Sequence, residues 1–149
     1  MRLTSDGTVP LWSPDRQAVA FTSGRATGIL DVYRRPIAGR AEDELVLRTT
    51  TNKRVHGWSP DGRYIVYVNA DPATKDDLWL LPLSGDRTPV PYLRTPFNER
   101  GGQVSPDGRW MAYTSDESGA WEVYVQLFPV AGVLERGGAW STPLSLRPR

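Results

Sequence analysis

Short apolar and mixed segments alternate along this chain, and the same arrangement occurs three times. Residues 18–22, 64–68 and 110–114 are almost wholly apolar, which is typical of strands buried on both faces. Mixed segments flank each of them, and the 13 prolines and 14 glycines separate the segments rather than clustering. No stretch of about ten residues or more has the 3.6-residue periodicity of an amphipathic helix. The pattern therefore predicts an all-β chain.

A turn precedes each apolar segment and sets the period. Ser-Pro-Asp stands at 13–15, 59–61 and 105–107, so consecutive turns are 46 residues apart. Proline presets φ at the first central position, the serine hydroxyl can cap the turn, and glycine can take a positive φ at its end. Arg16 replaces that glycine in the first unit, which predicts a looser or strained turn there. A constant spacing of this size indicates a repeat architecture.

Each unit reads as four short strands. The first strand leads into the turn, and the apolar segment after the turn is the second. The third carries an acidic–aliphatic–aromatic triplet, at 31–33, 77–79 and 122–124, and the fourth lies at 44–48 and 90–94. Four antiparallel strands per period of about 45 residues are the signature of a β-propeller blade. The sequence therefore predicts a β-propeller segment of about three four-stranded antiparallel blades.

The predicted domain is a single partial propeller over residues 1–149. Residues 140–142 are a candidate fourth strand of its last blade. We place Trp12 and Trp58, at the repeat position before the turn, in the core. For Trp121 and Trp140, which lie outside the repeat, core and exposed contact both stay open. The predicted divisions are 1–8 for the last strand of a preceding blade, 9–50, 51–96 and 97–142 for three blades, and 143–149 for a tail.

These motifs carry a resemblance to a known family. Residues 58–63, Trp-Ser-Pro-Asp-Gly-Arg, with the apolar strand after them and the Asp-Leu-Trp triplet, resemble the WD40-like repeat of TolB-type six-bladed propellers. Residues 97–128 are similar to the propeller repeats found C-terminal to bacterial serine/threonine protein kinases. The same repeat also occurs in the propellers of prolyl-oligopeptidase-type peptidases. The resemblance implies half of a six-bladed ring, in a periplasmic or extracytoplasmic compartment.

A half ring needs further blades, because propellers close with four to eight. Either additional sequence or a second copy in a two-fold dimer can supply them, and the position of Met1 on a predicted final strand favours additional sequence. Uncovered blade edges also predict self-association.

Composition and motifs argue against chemistry in this chain. The 18 basic and 17 acidic residues leave a net charge of +1, which gives no global field to attract nucleic acid. The chain has no cysteine, one histidine, no Gly-x-Ser-x-Gly elbow and no phosphate-binding loop. No apolar run is long enough to insert into a membrane. We therefore expect no enzyme activity, no cofactor and no metal site.

Recognition in a propeller belongs to the loops where blades differ, because loops on a rigid scaffold are the usual binding elements. The loops between fourth and first strands, and between second and third strands, share one face around the channel. We call this the loop face. Its charges could be merely solvated, and His56 could simply line the channel. The candidate binding residues are Asn52, Lys53, Arg54, His56, Asn98, Glu99, Arg100, Gln103, Asp116 and Glu117.

The preferred function is binding of a protein or peptide by the sensor or scaffold part of a larger bacterial protein, either TolB-like or a receptor serine/threonine kinase. The alternative is the gating propeller of a prolyl-oligopeptidase-type serine peptidase whose catalytic domain lies elsewhere. A third possibility is a truncated product with no function of its own.

Overall fold

The computed structural model describes residues 2–39 and 41–128, which form eleven β-strands in three antiparallel sheets. Sheet 1 contains β1 (Thr8–Trp12), β2 (Ala18–Ser23), β3 (Asp31–Pro36) and β4 (Glu44–Leu47). Sheet 2 contains β5 (Lys53–Trp58), β6 (Tyr64–Asp71), β7 (Lys75–Pro82) and β8 (Val90–Leu93). Sheet 3 contains β9 (Glu99–Val104), β10 (Trp110–Ser115) and β11 (Glu122–Leu127).

Within each sheet the strands pair in chain order, each with the next along the sequence. Neighbouring strands are antiparallel throughout, as short connections between them require. The predicted all-β propeller segment is confirmed. The candidate fourth strand of the last blade, at 140–142, and Trp140 lie outside the described residues.

The sheets pack face to face, and the central sheet contributes to two apolar cores. Along β6, Ile65 and Tyr67 enter the first core, which lies between sheets 1 and 2. Tyr64, Val66 and Val68 enter the second core, between sheets 2 and 3. Because successive side chains of a strand point to opposite faces, one fully apolar strand supplies both cores. This explains why the apolar segment at 64–68 shows no alternation in the sequence.

The first strands of the sheets lie next to one another, since β5 contacts both β1 and β9. Two glycines permit the approach of β5 to β9. A Cβ atom on Gly57 would lie 2.6 Å from the backbone oxygen of Gly102, and one on Gly102 would lie 2.8 Å from Val66 Cγ1. Both distances are shorter than real Cβ atoms show, so the strands can come this close only where side chains are absent.

The repeated turn has the predicted mechanism. Ser59 Oγ donates to Asp61 Oδ1 at 2.5 Å and accepts a hydrogen bond from the Tyr64 amide at 2.9 Å. Asp61 Oδ1 also accepts from the Arg63 amide at 3.0 Å. The turns at Ser13 and Ser105 repeat these bonds. Each turn thus closes on its own side chains, which identifies the Ser-Pro-Asp motif as a folding element of the blade.

The glycine position of the turn adopts a left-handed conformation in all three units. The φ angle is 75° at Gly62 and 71° at Gly108. Arg16 stands at the same position with φ of 59°, in a region that costs a residue with a side chain about 1–2 kcal/mol. The strain predicted for the first turn is therefore present in the backbone.

Two expectations about the first sheet differ from the structure. Trp12 is 59% exposed, although the sequence places it in the core. Its counterpart Trp58 packs on the first core because sheet 1 lies against it, whereas no sheet lies on that side of Trp12 among the described residues. Residues 2–7, expected as the last strand of a preceding blade, carry no strand, since no described sheet is present there to pair with them.

Candidate functional site

Two arginines on neighbouring inner strands converge on one carboxylate at the loop face. Arg54 lies on β5 and Arg100 on β9, and Asp76 lies near the start of β7. Arg100 Nε is 2.5 Å from Asp76 Oδ2, and Arg54 Nη1 is 3.7 Å from the same oxygen. Both arginine side chains remain 46% exposed, whereas that of Asp76 is 10% exposed. One largely buried acid therefore holds two cations that still face solvent.

His56 belongs to the same cluster. It stands at the irregularity of β5 between Val55 and Gly57, and the charges of Arg54, Asp76 and Arg100 all act on its side chain. Burial lowers the pKa of His56, the positive charges of Arg54 and Arg100 lower it further, and only Asp76 opposes them. The imidazole is therefore neutral at pH 7, and the positive charge of the cluster comes from the two arginines. Gln103 Nε2 donates to the backbone oxygen of His56, which ties β9 to β5 beside the cluster.

An aromatic ring borders the cluster on the side of sheet 3. The Arg100 guanidinium carbon lies 5.0 Å from the centroid of the Trp121 ring, within cation–π range. Trp121 is 52% exposed, which resolves the open choice between core and exposed contact. Together the ring and the two guanidinium groups form an exposed, basic and aromatic surface. We refer to Arg54, His56, Asp76, Arg100 and Trp121 as the Arg–Trp cluster.

Two of the predicted binding residues are not on the surface. Lys53 and Glu99 are fully buried, with 0% and 1% exposure. Lys53 Nζ lies 3.9 Å from Asp31 Oδ1 and donates to the backbone oxygen of Thr51. Glu99 accepts a hydrogen bond from the Thr95 hydroxyl. The structure therefore places both side chains between sheets, beneath the face assigned to them.

The remaining candidates divide between structural bonds and exposed positions. Asn52 Oδ1 accepts from the Leu30 amide at 2.9 Å, which fastens the loop before β5 to sheet 1. Asn98 Nδ2 donates to Asp116 Oδ2 at 2.6 Å, and its amide donates to Asp116 Oδ1 at 2.8 Å. Glu117 is exposed beside them. Of the ten candidates, the structure brings Arg54, His56, Arg100 and Gln103 together.

Sequence reasoning missed Asp76 as a member of this cluster. Asp76 adjoins Asp77 of the repeated triplet, and strand alternation directs two consecutive side chains to opposite faces. That alternation is the signal that could have separated the two acids. The partners of Asp76 could not be found in the same way, because Arg100 is 24 residues away and lies in another sheet.

A second concave region lies on the loop side of sheets 1 and 2. It has a volume of about 350 Å³ and is lined by Thr50, Tyr67, Asn69 and Trp79, among others. An ion pair borders it, with Arg94 Nη2 3.3 Å from Asp71 Oδ2. The volume is at the lower end of the range for small-ligand sites. Its aromatic and hydroxyl lining is compatible with a side chain of a bound peptide.

Within the described residues, 2–39 and 41–128, no group of three or more histidine, cysteine, aspartate or glutamate side chains is arranged to hold a metal ion. Among the same residues, no helix has the length and apolar character needed to span a membrane.

Comparison with known proteins supports the fold strongly at low sequence identity. No protein-family model matches the sequence, and a search of curated proteins finds no significant match. Among solved structures, the chain is similar to a protein assigned as TolB in Agrobacterium tumefaciens, with a TM-score of 0.73 and 21% identity over 91% of this chain and 47% of that one. It is also similar to TolB from Acinetobacter baumannii, with a TM-score of 0.70 and 21% identity over 83% of this chain and 30% of that one.

A third solved structure comes from a mechanistic study of two prolyl endopeptidases and their inter-domain dynamics. Its TM-score is 0.57 at 16% identity, over 81% of this chain and 19% of that one. The chain thus spans about half the length, or less, of each of these three structures.

The stacked antiparallel sheets define this chain as a segment of a β-propeller. More particularly, its fold is that of the TolB-like propellers, over a length that corresponds to part of one.

Proposed function

We propose that this chain is a non-catalytic β-propeller module that binds an acidic segment of a protein or peptide at its loop face. The observation that carries this proposal is the Arg–Trp cluster, in which Arg54 and Arg100 share one carboxylate and remain half exposed. Two guanidinium groups on one acid leave an excess positive charge, which favours a further carboxylate from a partner.

The chemistry of the cluster suits such a partner. Arginine presents several donors in a planar fork that matches a carboxylate, and it forms paired hydrogen bonds that lysine cannot form. The Trp121 ring offers an apolar surface next to Arg100 for the neighbouring side chain of a peptide. Arg54 lies on β5, which pairs with β6, and Arg100 lies on β9, which pairs with β10. Because both backbones are already ordered in sheets, little backbone conformational entropy is lost when a ligand binds.

The proposal also concerns the larger protein that would contain this module. The fold likeness to TolB structures, over about half of one and a third of another, supports a recognition module of a larger bacterial TolB-like protein. A receptor serine/threonine kinase as the parent rests on the sequence resemblance of residues 97–128. In both cases the module would act as a sensor or scaffold in a periplasmic or extracytoplasmic compartment.

The alternative is the gating propeller of a prolyl-oligopeptidase-type serine peptidase. The fold likeness to a prolyl endopeptidase favours it, although that match covers only 19% of the endopeptidase chain. The encoding reading frame separates the two: a downstream hydrolase domain with a Gly-x-Ser-x-Gly elbow favours the peptidase. An upstream kinase domain with a membrane span favours the receptor.

A peptide array tests the binding proposal. Peptides rich in aspartate and glutamate are compared with the same peptides carrying asparagine and glutamine. We expect the acidic set to bind, and binding to be lost in the Arg54→Ala/Arg100→Ala variant. Arg109→Ala is the matched control, because Arg109 is an exposed arginine at the opposite end of sheet 3, beside the repeated turn. Equal binding of both peptide sets, or equal loss with the control variant, contradicts the proposal.

A further inference from the structure

The two ends of the stack of sheets expose apolar side chains. At the sheet 3 end, Val123 is 72% exposed and Leu127 is 52% exposed, both on β11. At the sheet 1 end, Trp12 is 59% exposed and Val9 is 41% exposed, both on β1. Large apolar side chains grouped in this way on a folded surface indicate an interaction site.

The same repeat positions are covered where one sheet faces another. Val123 corresponds in the triplet to Leu78, which is fully buried in the second core beneath sheet 3. Val9 corresponds to Val55, which is fully buried in the first core, and Trp12 corresponds to Trp58, which packs on that core. Each end of the stack therefore exposes one of the two faces that pack together where described sheets meet.

The exposed β11 face and the exposed β1 face are not equivalent, and this determines which face can pack on which. Each internal junction joins the third-strand face of one sheet to the first-strand side of the next. In the second core, a Cβ atom on Gly102 of β9 would lie 3.1 Å from Leu78 Cδ2 of β7. The face of β11 is a third-strand face, and the face of β1 is a first-strand side. A face of one kind therefore fits a face of the other kind, in a head-to-tail arrangement.

We infer that a second copy of this chain covers both ends, with the β11 face of each copy packed on the β1 face of the other. Two such contacts related by a two-fold axis close three sheets and three sheets into one ring, which leaves no open stack. The lengths agree with this arrangement, because the chain corresponds to 47% of the Agrobacterium tumefaciens structure that it resembles. This inference is independent of what the loop face binds.

Light scattering on the purified chain tests the inference. We expect a monodisperse species of twice the chain mass of 16.6 kDa. A species of one chain mass would overturn the inference and would assign the faces to further blades of a longer polypeptide. Larger, polydisperse species would also overturn it, because they indicate stacking that does not close.

Two single variants then test the head-to-tail geometry. Val123→Glu alters only the β11 face and Trp12→Glu only the β1 face, and both side chains are exposed, so neither change disturbs the cores. In a dimer of either variant, each contact would join one altered face to one native face. We therefore expect each variant alone to be a single chain. An equimolar mixture keeps one native contact, and we expect it to recover the mass of two chains.

A symmetric contact between two β11 faces gives a different result. Trp12→Glu would then remain a dimer, Val123→Glu would not, and mixing would restore nothing. That set of masses would overturn the head-to-tail inference. Circular dichroism melting curves of the two variants, compared at equal chain concentration, verify that each is folded before the masses are interpreted.

Discussion

Lys53 and Glu99 are 46 residues apart and occupy the same position in consecutive sheets, yet one is a buried base and the other a buried acid. Their neighbours in the preceding sheet are also equivalent, since Asp31 and Asp77 both begin the repeated triplet. At the first junction an acid meets a base, with Lys53 Nζ 3.9 Å from Asp31 Oδ1. At the second junction two acids interact, because the Asp77 charge raises the pKa of Glu99.

The buried charge at the second junction is therefore less well compensated than the buried charges at the first. Burial raises the pKa of Glu99 to about 7, against the bond from Thr95, and the negative charges of Asp77, Asp116 and Glu117 add to the increase. Burial also raises the pKa of Asp77, while Thr74 and Arg94 oppose it. Among the described residues, Glu99 Oε2 and Asp77 Oδ1 are buried without a hydrogen-bond partner. Near neutral pH, this junction therefore carries a carboxyl group that is costly to ionise.

We predict that Glu99→Gln stabilises the protein at pH 8 and has little effect at pH 4. The folded-state pKa of Glu99 is raised, so the unfolded chain loses this proton first as the pH increases. The stability contributed by protonated Glu99 is complete below about pH 4.5 and is lost as the pH rises to about 7. The difference between the pKa of about 7 in the folded protein and the ordinary value of 4.5 corresponds to at most about 3 kcal/mol of folding stability.

Urea denaturation of both proteins at the two pH values measures this effect. We expect the variant to gain about 1–3 kcal/mol in free energy of unfolding at pH 8. Glu42→Gln, an exposed change of the same chemistry in the segment before β4, is the control and leaves the pH profile unchanged, because Glu42 is not among the charges that raise the pKa of Glu99. An equal effect of Glu99→Gln at pH 4 and pH 8 would contradict the assignment.

Reversing the buried charge should have different effects on stability at the two junctions. Lys53→Glu places a second buried acid beside Asp31, and we expect a loss of about 3–5 kcal/mol, the range for breaking a buried ion pair. Glu99→Lys reproduces the pairing of the first junction at the second, so we expect no loss at pH 7. Thermal unfolding followed by circular dichroism compares the variants, and similar destabilisation by both would show that the sites are not equivalent.

Gly102→Ala should destabilise the contact of β9 with sheet 2. The added methyl group would lie 2.8 Å from Val66 Cγ1 and 3.1 Å from Leu78 Cδ2, in the second core. Overpacking of this kind typically costs about 1–3 kcal/mol. The midpoint of denaturant unfolding measures it, with Arg109→Ala as a surface control. An unchanged midpoint would mean that the strands can separate at this position without cost.

The repeated turn offers a matched pair of substitutions. Arg16→Gly relieves a left-handed residue with φ of 59°, and we expect a gain of up to about 1 kcal/mol, reduced by the greater freedom of glycine in the unfolded chain. Gly62→Arg introduces the same strain into the second turn, and we expect a loss of about 1 kcal/mol or more. Differential scanning calorimetry measures both. Changes of the same sign in the two variants would exclude backbone strain as the cause.

The repeat made the sheets predictable, and the same regularity hid where the blades differ. The spacing of Ser13, Ser59 and Ser105 and the apolar second strands define the architecture without any long-range information. The burial of Lys53 and Glu99 depends on a neighbouring sheet that sequence pattern does not display. Trp12 has the same local sequence as Trp58, and only the absence of a described sheet beside it explains its exposure.

The Arg–Trp cluster illustrates the same limit. Arg54 and Arg100 could be assigned to the loop face from strand order, since each stands near the start of a first strand. Their shared contact with Asp76 depends on the distance between side chains in two sheets, to which repeat spacing is insensitive. Whether the loop face binds a partner stays a prediction.

The two-sided packing of β6 determines how the molecule comes apart. Within one chain, sheets 1 and 3 can each separate after the loss of one apolar core, whereas sheet 2 separates only when both cores are lost. Because each sheet of such a repeat array depends chiefly on its immediate neighbours, disruption of a single chain, once separated from a second copy, begins at the outer sheets and reaches the central sheet last. The amide hydrogens of Ile65 and Val66 should consequently exchange with solvent more slowly than those of β2 or β10.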